Sequence, residues 1–231
     1  MNAQWIDIPN VGTEGFSGYL SLPPTGKGPG IVIIQEIWGV NSHIRAVAEQ
    51  YALDGYVVLA PDVFWRQQPR VDLGYDDVGR TEAIALRQRV DDAQAGADVA
   101  AAAEYLRTLP EVEGGVAAIG YCLGGQLAYR AAAAGSVDAT VAYYGGGIQN
   151  SLELAEKITQ PILFHYAELD KMIPAEAVGK VRNSFAGREN ASFFDYPGVD
   201  HGFNCWGRPA YNQKAAALAH GRTLTFLSEQ L

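Results

Sequence analysis

The chain has 231 residues and a formal net charge of −9, enough length to bury one hydrophobic core without help from disulfides or metal. The acidity removes the counterion-release drive for nucleic acid and the attraction to anionic membranes, and no dense Lys/Arg run offsets it locally, so neither partner is expected. The two cysteines, Cys122 and Cys205, form no paired-cysteine motif and are too few for a disulfide framework. No metal and no cofactor is expected. Residues 1–10 show neither a basic nor an apolar segment of a signal peptide, and no apolar stretch is long enough to span a bilayer. A soluble, cytoplasmic, monomeric protein with one domain over residues 1–231 is the expectation.

In chain order, residues 5–8 and 16–22 read as an early pair of strands. Residues 30–34 (GIVII) form an unbroken apolar run, the mark of a strand buried on both faces. Residues 43–53 read as a helix stopped at Gly55, and 56–60 (YVVLA) as a second buried strand. Residues 64–79 read as a loop. Residues 81–107 have a helical composition, with Gly96 a candidate break. Strands are then expected at 115–119, 139–143, 162–166 and 191–196, with helices at 123–134, from Pro174 toward Phe185, and at 211–227. Strands alternating with helices predict an α/β fold, a mainly parallel sheet with helices on both faces. Active sites of such sheets lie at the carboxyl ends of the strands.

Gly120-Tyr121-Cys122-Leu123-Gly124-Gly125 stands between an expected strand and an expected helix. That is the setting of the G-x-S-x-G nucleophile elbow, with cysteine in place of serine. The tight turn needs glycines beside the nucleophile, where side chains would meet the neighbouring strand and helix. A thiol at a helix start is favoured as thiolate by the unpaired N–H groups there. The Leu123 N–H is placed to donate to an oxyanion. The bland alternative is a structural cysteine beside a glycine-rich turn.

In this fold the acid and then the histidine follow the nucleophile in sequence. Asp170 comes just after the strand at 162–166, and His201 lies in the loop between the last strand and the last helix. Glu168 is a rival acid nearer the strand, and Asp200 is read as a turn residue. His43 and His220 are placed on helix surfaces, His165 in the core, and Asp62 in a turn. Phe64, Trp65, Tyr75, Tyr143, Tyr144, Phe203 and Trp206 are candidates for an aromatic pocket or for plain packing.

These residues resemble the dienelactone hydrolase (carboxymethylenebutenolidase) family of α/β-hydrolases. The resemblance rests on the cysteine elbow, on Gln35-Glu36-Ile37-Trp38-Gly39, Ala60-Pro61-Asp62 and Tyr143-Tyr144-Gly145-Gly146, and on Asp170 and His201-Gly202-Phe203. It implies an α/β-hydrolase fold and hydrolysis of small-molecule esters or lactones through Cys122, His201 and Asp170. It also implies that Glu36 pairs with the neutral thiol and takes its proton when substrate binds, and that Ile37 N–H completes the oxyanion hole with Leu123. Arg80 falls where the family has the first of two carboxylate-binding arginines. The place of the second holds Cys205, with Arg208 shifted along the chain, and Tyr144 completes the expected substrate-binding set. One arginine holds a carboxylate less firmly than two. Cys205 is read as a passive buried side chain. The rival readings are a redox-responsive thiol protein using Cys122 and Cys205, a broad-specificity carboxylesterase or thioesterase, and a non-catalytic binder.

Overall fold

The structure, a computed structural model, describes residues 2–9 and 15–231. Among these residues eight strands make one sheet: β1 (Asn2–Asp7), β2 (Ser17–Leu22), β3 (Gly28–Ile34), β4 (Val57–Pro61), β5 (Val112–Tyr121), β6 (Ala139–Tyr143), β7 (Ile162–Ala167) and β8 (Ala191–Tyr196). Their order is β1-β2-β4-β3-β5-β6-β7-β8. The first two strands pair antiparallel, and every neighbour from β4 to β8 is parallel. The expected α/β-hydrolase fold is present. The apolar runs of β3, β4 and β6 are buried throughout their central residues because helices cover the sheet.

Among the described residues six α-helices surround it: α1 (Ser42–Leu53), α2 (Asp77–Arg87), α3 (Asp92–Arg107), α4 (Leu123–Ala133), α5 (Ala175–Ser184) and α6 (Gln213–Gln230). The stretch read as one helix with a break at Gly96 is two helices, and the break lies earlier. Residues 88–91 separate α2 from α3, and Asp91 caps α3 by accepting from the Ala93 and Gln94 N–H groups. Gly96 sits inside α3, where an added Cβ would come 2.9 Å from Arg130 Cβ on α4. The glycine therefore lets two helices approach. Residues 77–79, read as loop, open α2 beneath an Asp76 cap. Among the described residues no helix is long and apolar enough to cross a membrane.

The register decides where the loops meet. Ile34 pairs with Gly120, Tyr121 with Tyr143, Tyr143 with His165, and Ala167 with Tyr196. The segments leaving β3, β5, β7 and β8 therefore emerge side by side at one end of the sheet.

α6 is fastened to the sheet by a buried polar chain. Thr223 Oγ1 lies 2.7 Å from Tyr143 Oη and 3.0 Å from His165 Nε2, while His165 Nδ1 lies 2.8 Å from Tyr196 Oη. Burial, reinforced by Arg222, pushes His165 down to about 3, so it is the neutral core residue expected. Thr223→Val keeps the shape of the side chain but leaves Tyr143 and His165 without their shared partner. The expected cost is about 1–3 kcal/mol, read from urea denaturation midpoints.

Candidate active site

β5 runs into α4 through Cys122, whose φ of 57° and ψ of −114° are rare for a residue with a side chain. Such backbone costs about 1–3 kcal/mol and persists only where its surroundings enforce it. The Cys122 N–H donates to the Tyr143 carbonyl at 3.0 Å, and the Cys122 carbonyl accepts from Gly125 N–H at 3.0 Å. A Cβ at Gly120 would clash with the Gly124 carbonyl, and one at Gly124 with the carbonyls of Ile34 and Gln35. The elbow is thus wedged against the end of β3, next to Glu36 and Ile37. Among the described residues neither Ile37 N–H nor Leu123 N–H donates to a backbone carbonyl, so both remain available to an acceptor.

Asp170 stands three residues past β7. Its Oδ1 accepts from the Met172 and Ile173 N–H groups at 2.8 and 3.0 Å. Its Oδ2 lies 2.6 Å from His201 Nδ1. The acid, the histidine and Cys122 are all buried. His201 Nε2 has no hydrogen-bond partner among the described residues. Burial opposes charge on His201, but the Cys122 sulfur and Asp170 outweigh it and push the imidazole up to about 10. Sulfur and imidazole are therefore close enough to be electrostatically coupled. Tyr144 packs edge-on against His201, with ring centroids 5.0 Å apart. Glu168 turns away to accept from Gly198 N–H, and Asp200 accepts from the His201 N–H, as a turn residue does.

Glu36 departs from its expected pairing. Its carboxylate binds Arg208, with Oε1 2.9 Å from Nη1; among the described residues it makes no hydrogen bond to Cys122, and Oε2 is buried without a partner. Burial raises the Glu36 pKa, against the pull of Arg208 and His201. Arg208 sits with its guanidinium carbon 4.8 Å from the Trp38 ring centroid. Burial disfavours its charge, but Glu36, Tyr144, Cys122 and Cys205 outweigh that and raise its pKa. Gly202, at φ 83°, makes room: a side chain there would overlap the guanidinium.

Arg80 is exposed on α2, and among the described residues its side chain makes no ion pair or hydrogen bond. His43, placed on the surface by the sequence, is 3% exposed because α1 packs its first turn under Trp206, ring centroids 4.1 Å apart. Burial, then Arg208, holds His43 down at about 4. His220 is half-buried and lies 3.0 Å from Asp54. Trp38 packs on Tyr75. Phe64 and Trp65 belong to the core beside Phe16. Asp62 accepts from the Phe64 and Arg70 N–H groups, the turn role expected.

Cys205 is fully buried, and burial followed by Glu36 pushes its thiol up to about 12. A redox sensor needs an accessible thiol of low pKa, so Cys205 does not suit a resolving role. Among the described residues no cluster of potential metal ligands occurs.

The sheet order, the cysteine in the strained turn and the acid-histidine pair on the following loops define an α/β-hydrolase. The dienelactone hydrolase family model matches residues 16–231. Carboxymethylenebutenolidase 1 of Cupriavidus pinatubonensis is 35% identical over 229 residues, covering 99% of this chain and 97% of that protein. A carboxymethylenebutenolidase of a Pseudomonas species is 35% identical over 228 residues, covering 98% and 95%. A crystal structure provisionally named as a dienelactone hydrolase, from Klebsiella pneumoniae, superposes with a TM-score of 0.85 at 28% identity and covers 98% of both chains. The chain belongs to the dienelactone hydrolase family and is a hydrolase of ester or lactone bonds.

The coupling to Cys122 has a measurable signature. The folded His201 pKa of about 10 lies above the usual imidazole value of about 6.5. Its contribution to stability is full below pH of about 6.5 and is lost as pH rises toward 10. NMR titration of the wild type should find His201 still protonated at pH 8, and Cys122→Ala should lower its midpoint.

Proposed function

We propose that the protein hydrolyses small-molecule esters or lactones by covalent catalysis, with Cys122 as nucleophile, His201 as base and acid, and Asp170 as the group that fixes the imidazole. The observation that carries this reading is the geometry of His201. Nδ1 is engaged by Asp170 at 2.6 Å, while Nε2, with no partner among the described residues, stands beside a cysteine in a strained elbow.

In the first half-reaction His201 Nε2 already holds the proton of the Cys122 thiol, and the sulfur attacks the acyl carbonyl carbon. The oxyanion accepts from the Ile37 and Leu123 N–H groups, each donor typically worth about 3–4 kcal/mol. Collapse of the tetrahedral adduct breaks the acyl C–O bond. The leaving oxygen, which in a lactone stays tethered to the acyl group, takes the proton from His201. A thioester on Cys122 results. In the second half-reaction water gives a proton to His201 and attacks the thioester. The carboxylic product leaves, and the proton stays on His201 beside the sulfur. Asp170 holds the tautomer throughout, as in serine hydrolases. For Glu36 to accept the thiol proton, its partnerless Oε2 must turn to the sulfur or Oε1 must release Arg208. Arg208 and Tyr144 border the acyl position, whereas Arg80 is assigned no contact with substrate. One catalytic domain suffices for all of these steps, and the reading requires no metal or cofactor.

Cys122→Ala is expected to abolish turnover of an aryl acetate, and Cys122→Ser to leave only a small residue. Intact-mass spectra of quenched wild type should show one added acyl group, mapped to Cys122. Full activity in Cys122→Ala ends the proposal. Asp170→Asn, which disturbs the tautomer, should lower kcat by roughly 10³–10⁴ with the fold retained.

A further inference from the structure

We infer that a cleft between the end of α1 and the start of α6 is a binding site for a small uncharged saccharide. Its recognising groups are the rings of Trp206 and Tyr211 and the carboxamides of Gln50, Asn204 and Gln213. The cleft stands apart from the reacting groups: none of Cys122, His201, Asp170, Glu36 and Arg208 lines it.

The cleft has a volume of about 290 Å³. That lies at the foot of the range for small-molecule pockets and suits a sugar ring. Gln50 comes from α1, and Gln213 and His220 from α6. Asn204, Trp206 and Tyr211 come from the segment that leads from His201 to α6.

That segment is braced by its own backbone. Cys205 N–H donates to the Gly202 carbonyl at 2.9 Å, Arg208 N–H to that of Cys205 at 3.0 Å, and Asn212 N–H to that of Phe203 at 3.0 Å. The Trp206 indole is held against His43, and His220 is held by Asp54. The walls are therefore set before a ligand arrives, which lowers the ordering cost of binding.

Two large rings open onto this one small cleft, Trp206 at 47% exposed and Tyr211 at 39%. Among the described residues, no side-chain polar group of Gln50, Asn204, Trp206, Tyr211 or Gln213 makes a hydrogen bond. Asn204 is the sharpest case. It is only 9% exposed, its amide is unpaired, and it lines the cleft. A nearly buried amide without a partner is costly and calls for one.

These groups match a sugar. A carboxamide offers an acceptor and two donors side by side, and neighbouring hydroxyls are each donor and acceptor. The negative face of an aromatic ring meets the weakly positive C–H face of a pyranose. No Asp, Glu, Lys or Arg lines the cleft, and His220 already has Asp54. An ionic ligand would find no counter-charge of its own there. A flat nucleobase would stack but leave most of the carboxamides unmatched.

The test is an NMR titration of the full-length protein that resolves side-chain amides. The probes are the methyl glycosides of glucose, galactose and mannose, the disaccharide cellobiose, glucuronate and adenosine. At least one neutral sugar should bind saturably, in the low millimolar range or tighter, and shift the amide signals of Gln50, Asn204 and Gln213. Asn204→Ala, which removes a side chain that makes no hydrogen bond, should weaken that binding about tenfold. Ala217→Phe, at an exposed helix position lining the cleft, should fill the space and weaken it at least as much while the fold is retained. No saturation by any neutral sugar overturns the inference, as does binding that both variants leave unchanged. Tighter binding of glucuronate or of adenosine than of every neutral sugar overturns it as well.

Discussion

The constraint on which the site depends is the left-handed backbone of Cys122. A side-chain-bearing residue at φ 57° is held there by what surrounds it. The Cys122 N–H is tied to Tyr143 on β6, and the turn is closed by Gly125 N–H on the Cys122 carbonyl. Gly124 presses against the carbonyls at the end of β3 so closely that no Cβ fits. The same contact that holds the strain brings the segment that carries Glu36 and Ile37 against the elbow. Strain and site assembly are one feature of the packing.

Around that turn, ionised side chains sit beside opposite charges or amide dipoles. Asp170 has two backbone donors and an imidazole, and Glu36 has a guanidinium. Side chains lacking such partners are kept neutral: His43 by burial and by Arg208, Cys205 by burial and by Glu36. Charge in a low-dielectric pocket is tolerated only when matched, and this pocket follows that rule.

Much of this was legible in the sequence because the physics behind it is local. Strands buried on both faces must be apolar throughout, so GIVII and YVVLA announce themselves. Cys122, Asp170 and His201 fall just beyond strands or before helices, and chain order alone places them at one end of a parallel sheet. What was not legible depends on distant partners. Gly96 looked like a helix break but answers to Arg130 on another helix, and the true break is marked by the Asp91 cap. His43 was placed on the surface since nothing nearby announces that Trp206 lies over it. The Glu36–Arg208 pair joins residues 172 positions apart; the only local hint was Gly202, whose missing side chain leaves room for the guanidinium.

Thr223 carries a consequence of another kind, in time. It serves Tyr143 from 80 positions away and His165 from 58, and its helix follows every other element in chain order. During synthesis β6 and β7 are complete while their buried hydroxyl and imidazole still lack this partner. Long-range contacts of this type form late, because loop closure precedes the gain. The packing around Cys122 therefore sets only after the chain has grown past residue 223, and a nascent or truncated chain carries the elbow without its finished surroundings.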